Sequence, residues 1–186
     1  MFEITTDALV IDKVESGEYD ARVLLYSKDL GVVMAKGTSM RKVTSKLSAH
    51  FDPLTFVSVR LIQKSDGGMF QIGDALLMDR CLNWRKSPNT LKEALKLISV
   101  FKETGFNGGA DINLWNAVYG MLANAPETPF AKYSHKLLEC LGFSTQYAKC
   151  DKCAVKNPTQ FLFRDLAFYC DTCVPQANTD NLRYYI

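Results

Sequence analysis

Two short cysteine pairs near the end of the chain constrain its fold more than any other feature. Cys150 and Cys153 form the first pair, Cys170 and Cys173 form the second, and sixteen residues separate them. Each spacing lets the backbone bend into a knuckle whose two thiolates face one ion, and two knuckles supply the four sulfurs that a structural zinc prefers. A closed four-cysteine site leaves no position for a catalytic water. We therefore predict one structural Zn²⁺, with rubredoxin-like iron and two disulfides as the alternatives.

The composition is that of a folded protein without a membrane segment. The chain has 186 residues, of which 47% are hydrophobic and 23% are charged, so it can form one large domain or two to three small modules. Its first seven residues are acidic and lack the basic region of a signal peptide, and no apolar run is long enough to span a bilayer. We expect a cytoplasmic protein, in which paired cysteines are metal ligands rather than disulfides.

The charge is unevenly placed along the chain. Residues 1–35 carry a net charge of −4, whereas residues 36–64 carry six Lys or Arg side chains against Asp52 alone, a net charge of +5. Local positive charge on a nearly neutral protein favours a surface for a polyanion, although a solvated loop is the simpler explanation.

Short apolar runs in the first 80 residues predict a small β-barrel. Predicted strands cover residues 8–11, 21–26, 32–36, 54–62 and 69–77, and glycine-containing turns separate several of them. In the fourth strand Val57, Val59 and Leu61 share one face, which suits a barrel interior. Five short antiparallel strands in so few residues are typical of an OB-fold.

The periodicity then becomes helical. Ser87 with Pro88 begins one amphipathic helix, Asp111 can cap a second, and a third ends at Gly142. Between the cysteine pairs, residues 160–163 and 167–169 predict a hairpin, and two knuckles joined by a hairpin form a zinc ribbon. We therefore predict an α+β protein with these parts: an OB-fold nucleic-acid-binding domain at 1–79, a helical domain at 80–149, a zinc ribbon at 150–173 and a C-terminal segment at 174–186.

Motifs for catalysis are missing from the sequence. Its two histidines, His50 and His135, belong to no metal-binding or nucleophile motif, and no phosphate-binding loop of the Walker type occurs. We predict neither an enzyme nor a small-molecule substrate.

The basic stretch instead suggests nucleic-acid binding, because long cationic side chains in a glycine- and serine-containing segment can contact phosphates. The predicted DNA-binding residues are Lys36, Arg41, Lys42, Lys46, Arg60 and Lys64. Tyr26 with Arg22, and Phe56 with Arg60, share outward strand faces and could stack on bases. The alternative is that these aromatic residues pack under the helical domain.

Several of these segments together resemble one protein family. They are residues 7–11 (DALVI), 31–37 (GVVMAKG), 41–47 (RKVTSKL), 136–143 (KLLECLGF) and 150–153 (CDKC). Their order and spacing are similar to those of RecO, the bacterial recombination mediator, over most of the chain.

The resemblance implies an OB-fold joined to a helical domain with a zinc element, and a nucleoid-associated role in recombinational repair. The expected activities are binding to single- and double-stranded DNA, annealing of complementary strands, and loading of RecA together with RecR and single-stranded-DNA-binding protein. By position, Lys36, Arg41, Lys42 and Lys46 match the family's basic run. RecO proteins usually continue with more helix after the second cysteine pair, so we expect a reduced or truncated member. An RNA-binding or transcription-associated module and a protein-only adaptor are the alternatives.

Overall fold

The N-terminal part of the protein is a closed five-stranded barrel. The computed structural model describes residues 1–42, 44–45, 47–103, 109–123, 130–163, 165–174 and 183–185. Around the barrel the strand order is β1-β2-β3-β5-β4, with β3 and β5 parallel and the other pairs antiparallel. This is the OB-type barrel that the sequence predicted. The strands are β1 (Phe2–Ser16), β2 (Asp20–Ser27), β3 (Gly31–Gly37), β4 (Phe56–Gln63) and β5 (Phe70–Asp79).

The length of β1 closes the barrel. Its first half pairs with β4, from Phe2 opposite Gln63 to Leu9 opposite Phe56, and its second half pairs with β2. The register of β1 against β2 shifts between Val10 and Asp12, where an extra residue bends the strand from one partner to the other. The sequence predicted only residues 8–11 here, because charged residues interrupt the rest of the strand.

The two faces of the barrel wall pack into different cores. Val57, Val59 and Leu61 are fully buried in the interior, as their alternation predicted. Outward-facing Tyr26 and Phe56 are also buried, because they lie against the helices in a second core. That second core extends as far as Phe161 of the ribbon, so the barrel wall, helices and ribbon share one continuous apolar cluster.

Three helices follow the barrel, and their ends are defined by the predicted capping residues. The Ser87 hydroxyl accepts the amide of Thr90, and the Asp111 carboxylate accepts the amides of Asn113 and Leu114. Gly142 has a positive φ of 89° and ends the third helix. None of the described helices is both long and apolar enough to cross a membrane. The helices are α1 (Pro88–Glu103), α2 (Ile112–Ala123) and α3 (Phe130–Cys140), and 3₁₀ turns cover Ser48–His50 and Leu82–Lys86.

The cysteine region forms a small three-stranded sheet. The predicted hairpin is present as β6 (Gln160–Leu162) and β7 (Ala167–Tyr169). A third strand, β8 (Arg183–Tyr185), pairs antiparallel with the other edge of β6. Strand β8 was not predicted, because a three-residue strand has too little periodicity to be recognised in a sequence.

The buried hydroxyl of Tyr26 gives a stability prediction. The Tyr26 ring stacks on Phe101 with 4.5 Å between ring centroids, and its hydroxyl is buried without a hydrogen-bond partner among the described residues. Burial raises the pKa of this tyrosine. Because an unsatisfied buried hydroxyl costs about 1–3 kcal/mol, Tyr26→Phe is expected to increase the free energy of unfolding by about 1 kcal/mol in urea titrations.

Tyr169→Phe is the matched control, because the Tyr169 hydroxyl donates a 3.3 Å hydrogen bond to Asp165. Its removal is expected to leave the stability unchanged or lower it slightly. A loss of stability in Tyr26→Phe would show that the Tyr26 hydroxyl has a bound partner.

Candidate nucleic-acid interface and metal centre

The basic loop, which we define as residues 36–42, is fixed to the turn between β1 and β2. Met40 is 1% exposed in the barrel core and packs over Gly37, where a Cβ atom would overlap the methionine sulfur. The Ser39 amide donates to the Asp20 carboxylate at 2.8 Å, and the Arg41 amide donates to the Tyr19 carbonyl at 2.9 Å. The loop is therefore a structured part of the barrel.

Acidic and aromatic residues in the β1–β2 turn and in the adjoining strand ends contact each cation of the basic loop. Lys36 Nζ lies 2.8 Å from the Asp20 carboxylate, and Arg41 lies 2.9 Å from that of Glu15. The ammonium group of Lys42 lies 5.2 Å from the centroid of the Tyr19 ring.

These contacts are weak enough to be exchanged. Hydrogen bonds from Lys36 and from the Ser39 amide lower the pKa of Asp20, so this carboxylate stays charged at neutral pH. Both cations remain partly exposed, at 42% for Lys36 and 35% for Arg41, and surface ion pairs are worth about 0–1 kcal/mol each. A phosphate group can therefore replace the carboxylate partners at little cost.

The other predicted DNA-binding residues lie apart from this cluster. Arg60 is on β4, which β5 separates from β3, and it pairs with Glu3 at 3.1 Å. Lys64 is exposed beyond the end of β4, and no ion pair of the described residues involves it. Lys46 lies outside the described residues. The structure thus brings Lys36, Arg41 and Lys42 together and places Arg60 elsewhere on the barrel.

The stacking role predicted for Tyr26 and Phe56 is wrong, and the alternative, packing under the helices, is confirmed. Phe56 is fully buried, with ring centroids 5.9 Å from Trp115 and 4.9 Å from Tyr119. Tyr26 stacks on Phe101 of α1. Helices α1 and α2 cover this part of the barrel wall, so neither ring is accessible to a base.

The four cysteines of the ribbon converge as a metal site requires. Their Sγ atoms all lie within 4.8 Å of one another, and those of Cys153 and Cys170 are 3.7 Å apart. Four sulfurs about 2.3 Å from a tetrahedral ion are about 3.8 Å apart, whereas disulfide sulfurs are about 2.05 Å apart. All four thiols are free, so the two-disulfide alternative does not describe this structure. The residues present fit a tetrahedral ion bound by thiolates.

Backbone hydrogen bonds shape each knuckle. The Ala154 amide donates to the Cys150 carbonyl at 2.8 Å, and the Cys173 amide donates to the Cys170 carbonyl at 3.0 Å. Burial raises the pKa of the Cys150 thiol, but hydrogen bonds from the backbone amides of Cys170, Cys153 and Lys152 outweigh burial and lower this pKa to about 6. The thiolate of Cys150, which is the form that binds a metal, is therefore favoured at neutral pH, whereas hydrogen bonds from the neighbouring thiols of Cys153 and Cys170 raise the pKa of Cys173.

Polar contacts tie both knuckles to the hairpin. The Asp151 amide donates to the Phe168 carbonyl at 2.9 Å, which connects the first knuckle with β7. The Asp171 carboxylate accepts hydrogen bonds from Thr159 at 2.7 Å and from Gln160 at 2.9 Å, and these bonds lower its pKa. The metal site and the sheet therefore support each other.

The sequence reasoning did not identify the residues that organise the basic loop. Glu15, Tyr19 and Asp20 partner its cations, and Met40 anchors it in the barrel. The contrast between a net charge of −4 in residues 1–35 and +5 in residues 36–64 was the available signal for the ion pairs. This charge contrast does not reveal which acidic side chain pairs with which basic side chain, because the pairing depends on the strand register.

Comparisons with known proteins agree with this architecture. Residues 1–80 match the family model described as recombination protein O N terminal. The DNA repair protein RecO of Thermobifida fusca is 25% identical over 182 residues, which cover 92% of this chain and 74% of that protein. RecO of Acetivibrio thermocellus is 22% identical over 180 residues, which cover 92% of this chain and 70% of that protein.

A third relative matches over a shorter stretch. RecO of Dehalococcoides mccartyi strain BAV1 is 37% identical over 59 residues, which are 32% of this chain and span only 23% of that protein. The match to the family model, at residues 1–80, covers the barrel. The two long alignments extend the similarity through the helices and the ribbon. The chain is therefore similar to RecO proteins over most of its length, and its five-stranded barrel matches the RecO N-terminal model.

Proposed function

We propose that this protein is a recombination mediator in DNA repair. It binds single- and double-stranded DNA, anneals complementary strands, and helps to load RecA together with RecR and single-stranded-DNA-binding protein. It works on the chromosome in the cytoplasm and carries out no bond chemistry itself. The observation that carries the proposal is a structured basic loop on a barrel that matches the RecO N-terminal model.

The DNA site of this proposal is centred on the basic loop. Phosphates of a strand replace the carboxylates of Glu15 and Asp20 as partners of Arg41 and Lys36, and Lys42 adds a third contact. Releasing counterions from the strand drives this exchange. The further residues proposed to contact DNA are Lys46, Arg60 and Lys64.

One structural zinc ion completes the proposed molecule. Cys150, Cys153, Cys170 and Cys173 hold it, and it supplies the crosslink that fixes the two knuckles of the ribbon. We propose the domain limits 1–79, 80–149 and 150–173, with a C-terminal segment at 174–186 whose strand β8 joins the ribbon sheet.

An annealing assay tests the function. Complementary oligonucleotides, one carrying a donor fluorophore and one an acceptor, are expected to anneal faster with this protein than without it. Annealing of strands coated with single-stranded-DNA-binding protein should also be accelerated, and RecR should modulate that rate. Tight binding to structured RNA without annealing of DNA would contradict the proposal and indicate an RNA-binding module. Binding to the protein partners with no affinity for DNA at physiological salt would indicate an adaptor.

A further inference from the structure

A second cationic surface lies beside the first cysteine knuckle, far along the sequence from the basic loop. A cavity of about 440 Å³ opens there, formed by the residues just before and just after that knuckle. Its volume is within the range of about 300–1,000 Å³ that is usual for small-ligand sites. We call it the ribbon cleft, and its lining residues are Gln146, Tyr147, Ala148, Lys149, Lys156 and Asn157.

The two lysines of the ribbon cleft are held opposite each other. Lys149 and Lys156 form an antiparallel β-bridge, which the hydrogen bond from the Cys150 amide to the Val155 carbonyl reinforces. Both are exposed, and neither takes part in an ion pair within the described parts of the chain. Like charges directly opposite each other destabilise a β pair, so an anion between the lysines would relieve their repulsion.

The cations of the ribbon cleft and those of the basic loop differ in their acidic neighbours. In the basic loop, carboxylates of Glu15 and Asp20 neutralise two of the cations, whereas none of the described residues that line the ribbon cleft is acidic. Glu139 lines the adjoining cavity, which shares Gln146 and Asn157 with the cleft. An anionic ligand is therefore favoured at the lysine end and disfavoured at the Glu139 end.

Tyr147 supplies the second element of a binding site. This residue is 77% exposed, the largest exposed fraction among the aromatic residues described, although it lies on the wall of a cavity. Gln146 and Asn157 add exposed side-chain amides, each able to donate and to accept hydrogen bonds. An aromatic face, two unneutralised cations and two amides match the parts of a nucleotide: base face, phosphates and base edge.

We propose that the ribbon cleft binds one nucleotide of a single-stranded nucleic acid. The base stacks on Tyr147, the flanking phosphates contact Lys149 and Lys156, and the amides of Gln146 and Asn157 face the base edge. This inference rests on the proposed DNA-binding function and adds to it a second contact point for the same strand. An acidic peptide could satisfy the lysines but would leave the planar face of Tyr147 without a comparable partner, so a nucleotide fits better.

Titration of a fluorescent single-stranded oligothymidylate, followed by anisotropy, tests the proposal. Because stacking of one base on an aromatic side chain accounts for about a five- to hundredfold change in affinity, Tyr147→Ala is expected to weaken binding at least fivefold. Tyr147→Phe keeps the stacking face and is expected to bind like the unaltered protein. Lys149→Gln with Lys156→Gln is expected to reduce the salt dependence by about 1.4 in the log-log slope. Since all three side chains are exposed, thermal unfolding should be unchanged in these variants.

Photocrosslinking provides an independent measurement. An oligonucleotide carrying 5-iodouracil is expected to crosslink to Tyr147, as identified by mass spectrometry of the peptide, and this crosslink should persist when the basic loop is neutralised.

Three outcomes would contradict these proposals. If oligothymidylate binding needs the basic loop but is unaffected by Tyr147→Ala, the proposed nucleotide site in the ribbon cleft is wrong, while the proposed DNA-binding function stands. An unaltered protein that does not bind the oligonucleotide at all would overturn the proposed function as well. If Tyr147→Ala weakens binding of an acidic peptide but not of DNA, the cleft is a peptide site and the inference is wrong.

Discussion

Replacing Cys150 and Cys173 with serine is expected to remove the bound metal and to disorder the ribbon. Each of these residues contributes one sulfur, and they belong to different knuckles, so the double variant leaves only one ligand on each side. Binding of structural zinc contributes about 10–16 kcal/mol of apparent free energy in small zinc domains, far more than three-residue strands can supply. Because Phe161 joins the ribbon to the helical core, we expect the loss of order to lower the stability of that core too.

Metal analysis together with proteolysis checks this result. The unaltered protein should contain about one zinc per chain, and removing the metal with a chelator should expose the region between the cysteine pairs to protease. Cys140→Ser is the matched control, because Cys140 is partly buried on α3, away from the four-cysteine cluster, and the variant should retain its metal. Bound iron with visible absorption would favour the rubredoxin-like alternative. A metal-free protein with an ordered ribbon would contradict the structural role of the metal.

Neutralising the basic loop is expected to produce the largest loss of DNA binding. In the triple variant Lys36→Gln, Arg41→Gln and Lys42→Gln, three phosphate contacts disappear while polar side chains remain. The log-log salt slope for single strands should fall by about 2, and affinity in about 0.1 M salt should fall about 100-fold. Glutamine is preferable to glutamate here, because a reversed charge would also face Glu15 and Asp20 and could disturb the β1–β2 turn.

Three exposed lysines on the helical domain provide the control for this experiment. Lys86→Gln, Lys92→Gln and Lys136→Gln together remove the same net charge and should change the affinity much less. Equal losses in the two triple variants would indicate a general charge effect, and unchanged affinity of the loop variant at low salt would contradict the assignment of the loop.

Removing an acidic partner should have the opposite effect. Glu15→Gln releases Arg41 from an exposed ion pair, so single-strand binding is expected to tighten by about two- to fivefold, the equivalent of up to about 1 kcal/mol. Glu93→Gln changes the net charge equally in an exposed pair on α1 and should have little effect. If both variants bind alike, the carboxylate of Glu15 does not compete with DNA.

The parts of the fold that could be predicted are those encoded by neighbouring residues. Alternation in β4, the capping residues Ser87 and Asp111 and the cysteine spacing each depend on a few adjacent positions, and the structure agrees with all of them. The full length of β1 was missed, because its pairing with two partners and its bulge between Val10 and Asp12 are properties of the closed barrel. The short strand β8 was also missed, because only its pairing with β6 defines it as a strand.

In the candidate site, too, some residues could be predicted from the sequence and others only from the folded structure. Sequence alone identified the cations and the four thiols, but it could not tell which outward aromatic residues the helices would cover. Tyr26 and Phe56 have the residue type and the alternation of a stacking platform, yet α1 and α2 bury both. Tyr147 has no such periodic pattern, and its exposure becomes apparent only when the ribbon is placed beside α3.

The carboxylates around the basic loop should also make the protein sensitive to the length of the strand. An isolated phosphate would have to displace Glu15 or Asp20 for a single contact, whereas a continuous strand displaces both and recovers several contacts at once. Each additional phosphate on the same strand arrives at a high effective concentration, so affinity should rise steeply over the first few nucleotides rather than in proportion to length. Mononucleotides, which are abundant in a cell, would then leave the loop unoccupied, and a stretch of several exposed nucleotides would be needed to engage it.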